Sequence, residues 1–345
     1  MTLPVRPQEQ LLLDALPSMP AGRLLCNTAG RAQLAAAYAR RHAPLPVVCW
    51  LLDLYQEEQS RLEQQPLPAN LQWLCTPDPP AEPFDAVVWA FSRQGDGELV
   101  RETLQIGHDR LAAGGQMIVS IDYPRDQWLN EQLRRMFSKV TRRQSETGVL
   151  YLATKTTPLR KLKNYAAEFA FRDGERLIQL RTRPGVFSHR EVDGGARALI
   201  KAMQVEPGHR VLDLGCGSGA VGVAAALRPG EARVTAIDSN PRAIEATLWA
   251  KDRNAAVHLE ATLDANGTSV ASGEYDVVLA NPPYYSDFRI ARLFVSIAQR
   301  SLKSGGLLLV VTKRPSWYLE NVGRGFADIT SSAVGNYNVV SAPKA

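Results

Sequence analysis

The sequence lacks the features that mark membrane, secreted and metal-binding proteins. No uninterrupted apolar run is long enough to span a membrane, and the first residues lack the apolar core of a signal peptide. The four cysteines show no paired or metal-ligand spacing, and the five histidines are scattered along the chain. We therefore expect a cytoplasmic protein with reduced cysteines, without a metal site and without a membrane association.

A large excess of one charge is also absent, since the net charge of the whole chain is only +5. Residues 1–150 carry 15 basic against 17 acidic side chains, so the positive excess lies in the second half. Residues 155–190 hold nine Lys and Arg against three Asp and Glu. Such a stretch is typical of a patch that faces phosphate groups, and a solvated basic surface explains the charge equally well.

The chain of 345 residues is long for one core, and it repeats itself. Four landmarks recur in the same order at offsets of 187 to 191 residues. The matching pairs are residues 23–26 with 210–213, 84–87 with 275–278, 111–115 with 302–306, and 149–155 with 337–344. Because strands alternate with helices in both halves, we predict two tandem α/β domains with Rossmann-like parallel sheets, produced by duplication. Chance likeness of two generic α/β domains is the less favoured explanation.

The two copies differ where ligands would bind. The first has Cys-Asn-Thr-Ala-Gly at residues 26–30, where the second has Asp-Leu-Gly-Cys-Gly at residues 213–217. It also has Ala-Phe-Ser-Arg at residues 90–93, where the second has Asn-Pro-Pro-Tyr. We therefore expect the first copy to be degenerate and non-catalytic, and to serve substrate docking or stability.

Three segments follow from this comparison. Residues 1–155 are the degenerate domain, and residues 185–345 are the catalytic domain. Between them, residues 156–184 contain an Asp-Gly turn flanked by alternating apolar and polar residues. This pattern predicts a basic β-hairpin that links the two domains.

The tetrapeptide Asn281-Pro282-Pro283-Tyr284 directly follows the apolar run 275–280, which predicts a buried parallel strand. Open α/β sheets bind ligands at the carboxyl ends of such strands. Because each proline keeps the preceding residue out of the helical region, the chain leaves the strand as a stiff, extended corner. The Asn281 carboxamide and the Pro282 carbonyl then offer two acceptors to a flat group bearing an NH2. Asn-Pro-Pro is equally ordinary turn chemistry, so the tetrapeptide alone leaves both interpretations open.

A glycine-rich turn joins the strand 210–213 to a helix that begins at Ala220. Its glycines allow a close approach of the backbone to a ligand, and the helix N-terminus offers N–H groups. The spacing Gly215-x-Gly217-x-x-Ala220 also fits a dinucleotide fingerprint, so the loop alone does not identify the cofactor. Asp238, 25 residues after Asp213, ends the next strand, where a carboxylate binds ribose hydroxyls in either cofactor.

Two features favour S-adenosylmethionine over NAD. Asp213 can hold a cationic amino group, whereas it would repel a pyrophosphate. The corner at Asn281 accepts hydrogen bonds from an NH2 group, for which hydride transfer has no use.

Together, the Asp-Leu-Gly-Cys-Gly-Ser-Gly motif at 213–219, Asp238 and the Asn-Pro-Pro-Tyr corner resemble class I S-adenosylmethionine-dependent methyltransferases that modify planar amino groups. The degenerate first copy, the hairpin and the segment 184–197 resemble more narrowly the ribosomal RNA guanine-N2 methyltransferases of the RsmC and RlmG group. The resemblance is close from about residue 184 to 313 and weaker in residues 1–150. It implies two seven-stranded sheets, S-adenosylmethionine as cofactor, and N2-methylguanosine in 16S or 23S ribosomal RNA as product.

The resemblance also assigns roles to residues. The catalytic corner is Asn281, Pro282, Pro283 and Tyr284. The cofactor is bound by Asp213, Gly215, Cys216, Gly217, Gly219, Asp238, Ser239, Thr262, Leu263 and Asn281, with Phe187 and Asp193 in a segment that covers the pocket. Thr262, Leu263 and Asp264 are the nearest counterparts of an Asn or Asp that is usual beside the cofactor's adenine. The basic residues expected to bind RNA phosphates are Arg160, Lys161, Lys163, Arg181 and Arg183.

We expect a monomeric enzyme that acts on ribosomal RNA within a ribosomal subunit or an assembly intermediate. Three alternatives remain: methylation of adenine N6, methylation of glutamine N5 in a translation release factor, and a protein of this fold that only binds RNA. The glutamine enzymes usually carry a helical first domain, unlike the strand-rich first copy. The intact corner in the second copy argues against a role in binding alone.

Overall fold

The structure is a computed structural model that describes residues 3–228, 230, 232–283, 288–323 and 325–345. The chain divides into two compact units, Met1–Tyr165 and Ala166–Ala345. Each unit contains one seven-stranded sheet, and the second also contains a two-stranded hairpin. The predicted α/β fold with two tandem Rossmann-like domains is confirmed. No helix in the described part of the chain is long and apolar enough to cross a membrane.

The first unit alternates strands with helices along residues 7–154. Its helices are α1 (Pro7–Ala15), α2 (Gln33–Arg41), α3 (Leu54–Glu63), α4 (Gly97–Arg110) and α5 (Trp128–Arg134). Its strands are β1 (Leu24–Cys26), β2 (Val47–Leu51), β3 (Leu71–Cys75), β4 (Phe84–Phe91), β5 (Leu111–Ile121), β6 (Val140–Gln144) and β7 (Val149–Thr154). The strand order is β3-β2-β1-β4-β5-β7-β6, with only the pairs of β7 antiparallel.

The second unit repeats this plan. Its helices are α6 (Gly194–Ala202), α7 (Ala220–Ala226), α8 (Pro241–Arg253), α9 (Arg289–Ser301) and α10 (Pro315–Asn321). Its strands are β8 (Ala167–Asp173), β9 (Arg176–Thr182), β10 (Arg210–Leu214), β11 (Arg233–Asp238), β12 (Leu259–Leu263), β13 (Tyr275–Ala280), β14 (Leu302–Thr312), β15 (Thr330–Val334) and β16 (Tyr337–Pro343). The order β12-β11-β10-β13-β14-β16-β15 corresponds strand by strand to that of the first sheet.

Each sheet is covered by helices on both faces, which explains why its central strands are largely apolar. Along β13, Val277 and Leu279 enter one core, whereas Val278 and Ala280 enter the other. The first core is completed by α6, α7 and α8, and the second by α9 and α10. Alternate side chains of a strand point to opposite faces, so a strand between two helical layers needs apolar residues at every position.

The register of the second sheet brings three loops to one edge. Leu214 at the end of β10 is the partner of Ala280 at the end of β13. It is also the partner of Ile237, the residue before Asp238 in β11. The glycine-rich loop, Asp238 and the Asn-Pro-Pro corner therefore leave neighbouring parallel strands at the same carboxyl edge.

The predicted hairpin forms, and it packs into the second unit. Ile178 and Leu180 of β9 are fully buried in the core that contains α6, α7 and α8. The Asn254 side chain binds the backbone N–H and carbonyl of Gln179 at 2.9 and 2.7 Å. The boundary at Tyr165 thus divides the predicted linker 156–184, since its first residues lie in the first unit and the hairpin in the second.

A buried carboxylate closes the first unit's counterpart of the glycine-rich loop. Glu9 of α1 accepts hydrogen bonds from the Thr28 hydroxyl at 2.5 Å and from the N–H groups of Ala29 and Gly30, both at 3.1 Å. Its other oxygen accepts from the N–H of Leu34 at 3.2 Å. Burial raises the pKa of Glu9, and the hydrogen bonds only partly oppose this. The first unit therefore satisfies the donors of this loop with its own side chain.

Replacing Glu9 by Ala should destabilise the first unit by about 2–4 kcal/mol, because several buried donors would lose their acceptor. Urea denaturation followed by tryptophan fluorescence measures this change. Glu82 is exposed, so Glu82→Ala should stay within about 0.5 kcal/mol of the parent protein. Equal midpoints for the two variants would contradict the role assigned to Glu9.

Candidate active site

The corner after β13 is held by a hydrogen bond that the sequence did not predict. The Nδ2 of Asn281 donates to Oδ2 of Asp193 at 2.9 Å. Because a carboxylate can only accept, this contact fixes which end of the carboxamide is the amide nitrogen. The Oδ1 of Asn281 is thereby kept as an acceptor. Pro282 is buried and Pro283 half-buried, whereas Tyr284 lies outside the described residues.

Asp193 serves two elements at once, because it is also the N-cap of α6. Its Oδ2 accepts from the N–H of Ala196 at 3.1 Å. A Cβ added to Gly195 would lie 2.6 Å from Asp193 Oδ2 and 2.9 Å from Asn281 Oδ1. Glycine at position 195 is therefore needed to leave space for the Asp193–Asn281 pair. The Asp-Gly-Gly sequence at 193–195 indicates a helix N-cap. It could not indicate the hydrogen bond to Asn281, because Asn281 lies 88 residues away in the sequence.

The glycine-rich loop adopts a conformation that other residues rarely reach. Gly215, Gly217 and Gly219 have φ angles of 73°, 53° and 80°. The N–H of Gly217 donates to Oδ2 of Asp238 at 3.0 Å, which ties the loop to the end of β11. A Cβ on Gly217 would have no neighbour nearer than 4.0 Å, so this side of the loop can be approached closely by a ligand.

Cys216 contributes its backbone rather than a reactive thiol. Its N–H donates to the carbonyl of Ile237 at 3.1 Å, and its side chain is buried. The hydroxyl of Thr247 donates to its sulfur at 3.2 Å. Burial raises the pKa of the Cys216 thiol well above its ordinary value, so the group stays neutral.

Asp213 is a buried carboxylate beside this loop. Its side chain is 2% exposed, and within the described structure its Oδ2 has no hydrogen-bond partner. Burial, with repulsion from Asp238, outweighs a hydrogen bond from the backbone of Gly222 and raises the pKa of Asp213 to about 7. A cation nearby would stabilise the ionised form, which fits the predicted role toward the amino group of S-adenosylmethionine.

The end of β11 offers polar groups to a ribose and an adenine. Asp238 Oδ1 accepts from the N–H of Asn240 at 2.9 Å, and Ser239 beside it is half-buried. Thr262 and Leu263 pair with Ile237 and Asp238 across the sheet, so both lie next to the predicted ribose carboxylate.

Asp264, the third possible counterpart near the adenine, holds its own loop together. Its Oδ1 accepts from the N–H groups of Asn266 and Gly267 at 2.9 and 2.7 Å, and its Oδ2 accepts from the N–H of Ser269 at 2.7 Å. Burial alone would raise the pKa of Asp264, but these hydrogen bonds lower it below the ordinary value. Thr262 and Leu263 therefore remain the candidates for contact with the adenine.

The segment that contains Phe187 is anchored at the start of α8. The side chain of Asn240 donates to the carbonyl of Gly185, and Arg242 donates to the carbonyl of Pro184, both at 2.7 Å. Phe187 is 54% exposed. The anchoring holds Gly185, two residues before Phe187, against Asn240, two residues after Asp238. The cover of the pocket by Phe187 stays a prediction.

The predicted RNA-binding residues do not share one element. Arg160, Lys161 and Lys163 are exposed and belong to the first unit. Arg181 and Arg183 lie in and just after β9 of the second unit, and Arg183 pairs with Glu245 at 3.4 Å. The residues that the structure describes contain no group of three metal-ligating side chains.

Known proteins are similar in sequence to this chain, most specifically to its second unit. Residues 177–341 match the family model of the methyltransferase small domain. A ribosomal RNA small subunit methyltransferase C from Shewanella piezotolerans is 28% identical over 275 residues, covering 76% of this chain and 78% of the relative. The protein of the same name from Shewanella loihica is 25% identical over 279 residues, covering 77% of this chain and 79% of the relative.

The fold is shared with a solved structure. The 16S rRNA N2 guanine methyltransferase RsmC from T. thermophilus, in complex with AdoMet and guanosine, matches with a TM-score of 0.80 at 21% identity. The match covers 97% of this chain and 92% of that chain. The predicted resemblance to methyltransferases is confirmed by the family model and the relatives, and the solved structure shows that the fold is shared over nearly the whole chain.

Asp213→Asn should remove part of the dependence of stability on pH. In the folded protein the pKa of Asp213 is raised from 3.8 to about 7, so only its neutral form favours folding. Its contribution to the free energy of unfolding is complete below about pH 4 and is lost toward pH 7, at most about 1.4 kcal/mol per pH unit. The variant, neutral at every pH, should therefore gain stability relative to wild type across this range.

Urea denaturation between about pH 4 and pH 7 measures the difference. Asp276→Asn is the matched control, because hydrogen bonds from Arg210 and Lys303 outweigh burial and lower the pKa of Asp276. The stability that Asp276 contributes is lost only as pH falls below its ordinary value of 3.8, so its difference from wild type should stay constant in this window. A constant difference for Asp213→Asn as well would refute the raised pKa.

Proposed function

We propose that this S-adenosylmethionine-dependent methyltransferase transfers a methyl group to the exocyclic N2 amino group of a guanine in ribosomal RNA. The observation that carries the proposal is the orientation of Asn281, whose carboxamide is held by Asp193 with its oxygen left as an acceptor. The names of the relatives support an acceptor in RNA of the small subunit.

The chemical problem is a weak nucleophile. The lone pair of an exocyclic amino nitrogen is delocalised into the guanine ring, so the nitrogen attacks poorly. Hydrogen bonds from the NH2 to Asn281 Oδ1 and to the Pro282 carbonyl hold the nitrogen in line with the methyl group and favour a pyramidal geometry. The reaction would be a direct displacement without a covalent intermediate, in which the nitrogen bonds to the methyl carbon as the bond from that carbon to sulfur breaks. The methylated nitrogen would then release a proton to solvent, for which no strong base is needed.

S-adenosylmethionine supplies an electrophilic methyl group when it is bound. Asp238 would bind the ribose of the cofactor, and Asp213 would stabilise its amino group. Gly215 and Gly217 would let the backbone of the loop approach the cofactor closely. Thr262 and Leu263 would contact the adenine. The open side of Gly217 and the unpartnered buried oxygen of Asp213 support this placement.

The base would leave its helix or loop before it reacts. Tyr284, which follows the corner, is proposed to stack on the swung-out guanine. We propose further that the protein acts as a monomer in the cytoplasm on a ribosomal subunit or an assembly intermediate. The first unit, whose ligand loop is closed by Glu9, would dock the substrate or stabilise the protein.

The direct test is methyl transfer to ribosomal subunits that lack modification. Purified protein and labelled S-adenosylmethionine are incubated with each subunit, and the RNA is digested to nucleosides. Label in N2-methylguanosine from the small subunit is the expected result. Label in N6-methyladenosine would reject guanine as the acceptor, and unlabelled RNA with bound cofactor would reject the RNA substrate.

An exchange of side chains tests the Asn281–Asp193 pair. Asn281→Asp alone should lower kcat about 100-fold, because it places two carboxylates where a hydrogen bond of 2.9 Å now forms. When Asp193→Asn is added, Asn at 193 can donate to Asp at 281, so the hydrogen bond forms again with donor and acceptor exchanged. The double variant should therefore have a kcat at least about tenfold higher than Asn281→Asp alone. Because Asn281 is also a predicted cofactor residue, kcat is compared at saturating S-adenosylmethionine, and the affinity for the cofactor is measured for each variant.

Asp193→Asn alone is the control, since Asn retains the N-cap of α6. Its kcat should lie between wild type and Asn281→Asp, because only the orientation with its oxygen in the place of Asp193 Oδ2 serves both Asn281 and the N–H of Ala196. Should the double variant be no more active than Asn281→Asp, the orienting role of Asp193 is wrong.

A further inference from the structure

Four side chains stack at the carboxyl edge of the second sheet. The rings of Phe288 and Trp317 lie nearly parallel, 8° apart, with 4.4 Å between their centroids. The guanidinium of Arg292 lies 5.6 Å from the Trp317 ring, and that of Arg314 lies 5.8 Å from the Phe288 ring. The stack joins residues from the start of α9 with residues around the start of α10.

This stack lies on the same edge as the candidate active site. Strand β14 runs parallel to β13, and Val310 is the partner of Ala280, the residue before Asn281. Two residues after Val310 the strand ends, and Arg314 follows shortly afterwards. The chain leaves β14 beside the corner that follows β13.

Lys313 continues this surface toward Asp193. Its ammonium group lies 5.0 Å from the Tyr337 ring. A Cβ added to Gly194 would lie 2.9 Å from the same ring, so Tyr337 packs against the residue that follows Asp193. Lys313, which is the neighbour of Arg314 in the chain, thus contacts the ring that packs beside Asp193, the residue that orients Asn281.

The cations of this surface are available to an anionic partner. Arg292, Lys313 and Arg314 are exposed, and no carboxylate within the described ranges forms an ion pair with any of them. A guanidinium that lies over an aromatic ring keeps the N–H groups at its edge for phosphate oxygens. Aromatic rings between such cations are typical of surfaces that bind single-stranded nucleic acid.

The first unit provides an internal comparison. Its strand β5 corresponds to β14 at an offset of 191 residues, and Pro124 corresponds to Pro315. At this offset, Asp122 stands at the position of Lys313 and Asp126 at the position of Trp317. The unit without the Asn-Pro-Pro corner thus carries carboxylates where the other carries a cation and an aromatic ring.

We propose that Arg292, Lys313, Arg314 and the Phe288–Trp317 pair hold the single-stranded RNA segment next to the target guanine. The cations bind its phosphates, and the aromatic pair fixes the two guanidinium groups. This inference rests on the proposed RNA substrate. According to this inference, the second unit itself binds the RNA segment next to the reacting base, and the basic residues around the hairpin bind other phosphates of the RNA.

The experiment measures binding of a fluorescein-labelled single-stranded RNA of about 12 nucleotides with one guanine, as a function of KCl concentration. The variant Lys313→Gln/Arg314→Gln removes two charges from the proposed surface. The control Lys201→Gln/Arg233→Gln removes two exposed charges from the same unit, at the last turn of α6 and at the amino end of β11. Binding of S-adenosylmethionine checks that each variant is folded.

For Lys313→Gln/Arg314→Gln we expect at least about tenfold weaker RNA binding at moderate salt, and a salt slope shallower by about 1.4. The control should stay within about twofold of wild type, and cofactor affinity should be unchanged in both. Equal losses in the two variants, or displacement of the RNA by polyglutamate of the same length, would overturn the proposal. Because binding is read without methyl transfer, absence of labelled N2-methylguanosine with this pattern intact would reject the proposed function alone.

Discussion

The hydrogen bond between Asn281 and Asp193 connects the parts of the molecule on which the chemistry depends. One partner ends the central strand of the second sheet, and the other begins the helix that covers that sheet. A carboxamide has two ends of similar shape and opposite hydrogen-bonding character, and only a fixed neighbour can select between them. Asp193 makes that selection because its carboxylate cannot donate. Its own position is set by capping α6, and Gly195 leaves the space that both side chains need.

The two units show that the fold and the site are separable. Both have the same strand order and the same antiparallel strand inserted near one edge. In the second unit the loop after β10 bends through three glycines and leaves an approach for a ligand. In the first unit, the corresponding loop closes on Glu9. Helices and strands are thus maintained by burial in two cores, whereas the use of the carboxyl edge is decided by a few polar residues.

Patterns that are local in sequence predicted most of the fold. The largely apolar segments 210–213 and 275–280 identified central strands, because strands covered on both faces bury most of their side chains. The Asp-Gly turn located the hairpin at 173–176, yet the domain on which it packs depends on long-range burial of Ile178 and Leu180. The Asn281–Asp193 pair, the closure by Glu9 and the Phe288–Trp317 stack also join distant segments. The periodicity of the sequence carries no information about such contacts between distant segments. Counting charges grouped the basic residues of 155–190 as one patch, whereas the fold divides them between two units.

The buried Glu9 makes a loop like that of the second unit hard to build in the first unit by single substitutions. Freeing the N–H groups of this loop requires removal of a carboxylate that satisfies four donors, and that step alone weakens the unit. A second change is needed on β2, where Leu51 stands at the position of Asp238 at an offset of 187 residues. Replacement of Glu9 or of Leu51 alone would not create a ligand site, and the first of these changes would lower the stability of the protein. Glu9 therefore makes the conformation of this loop robust against single substitutions elsewhere in the unit.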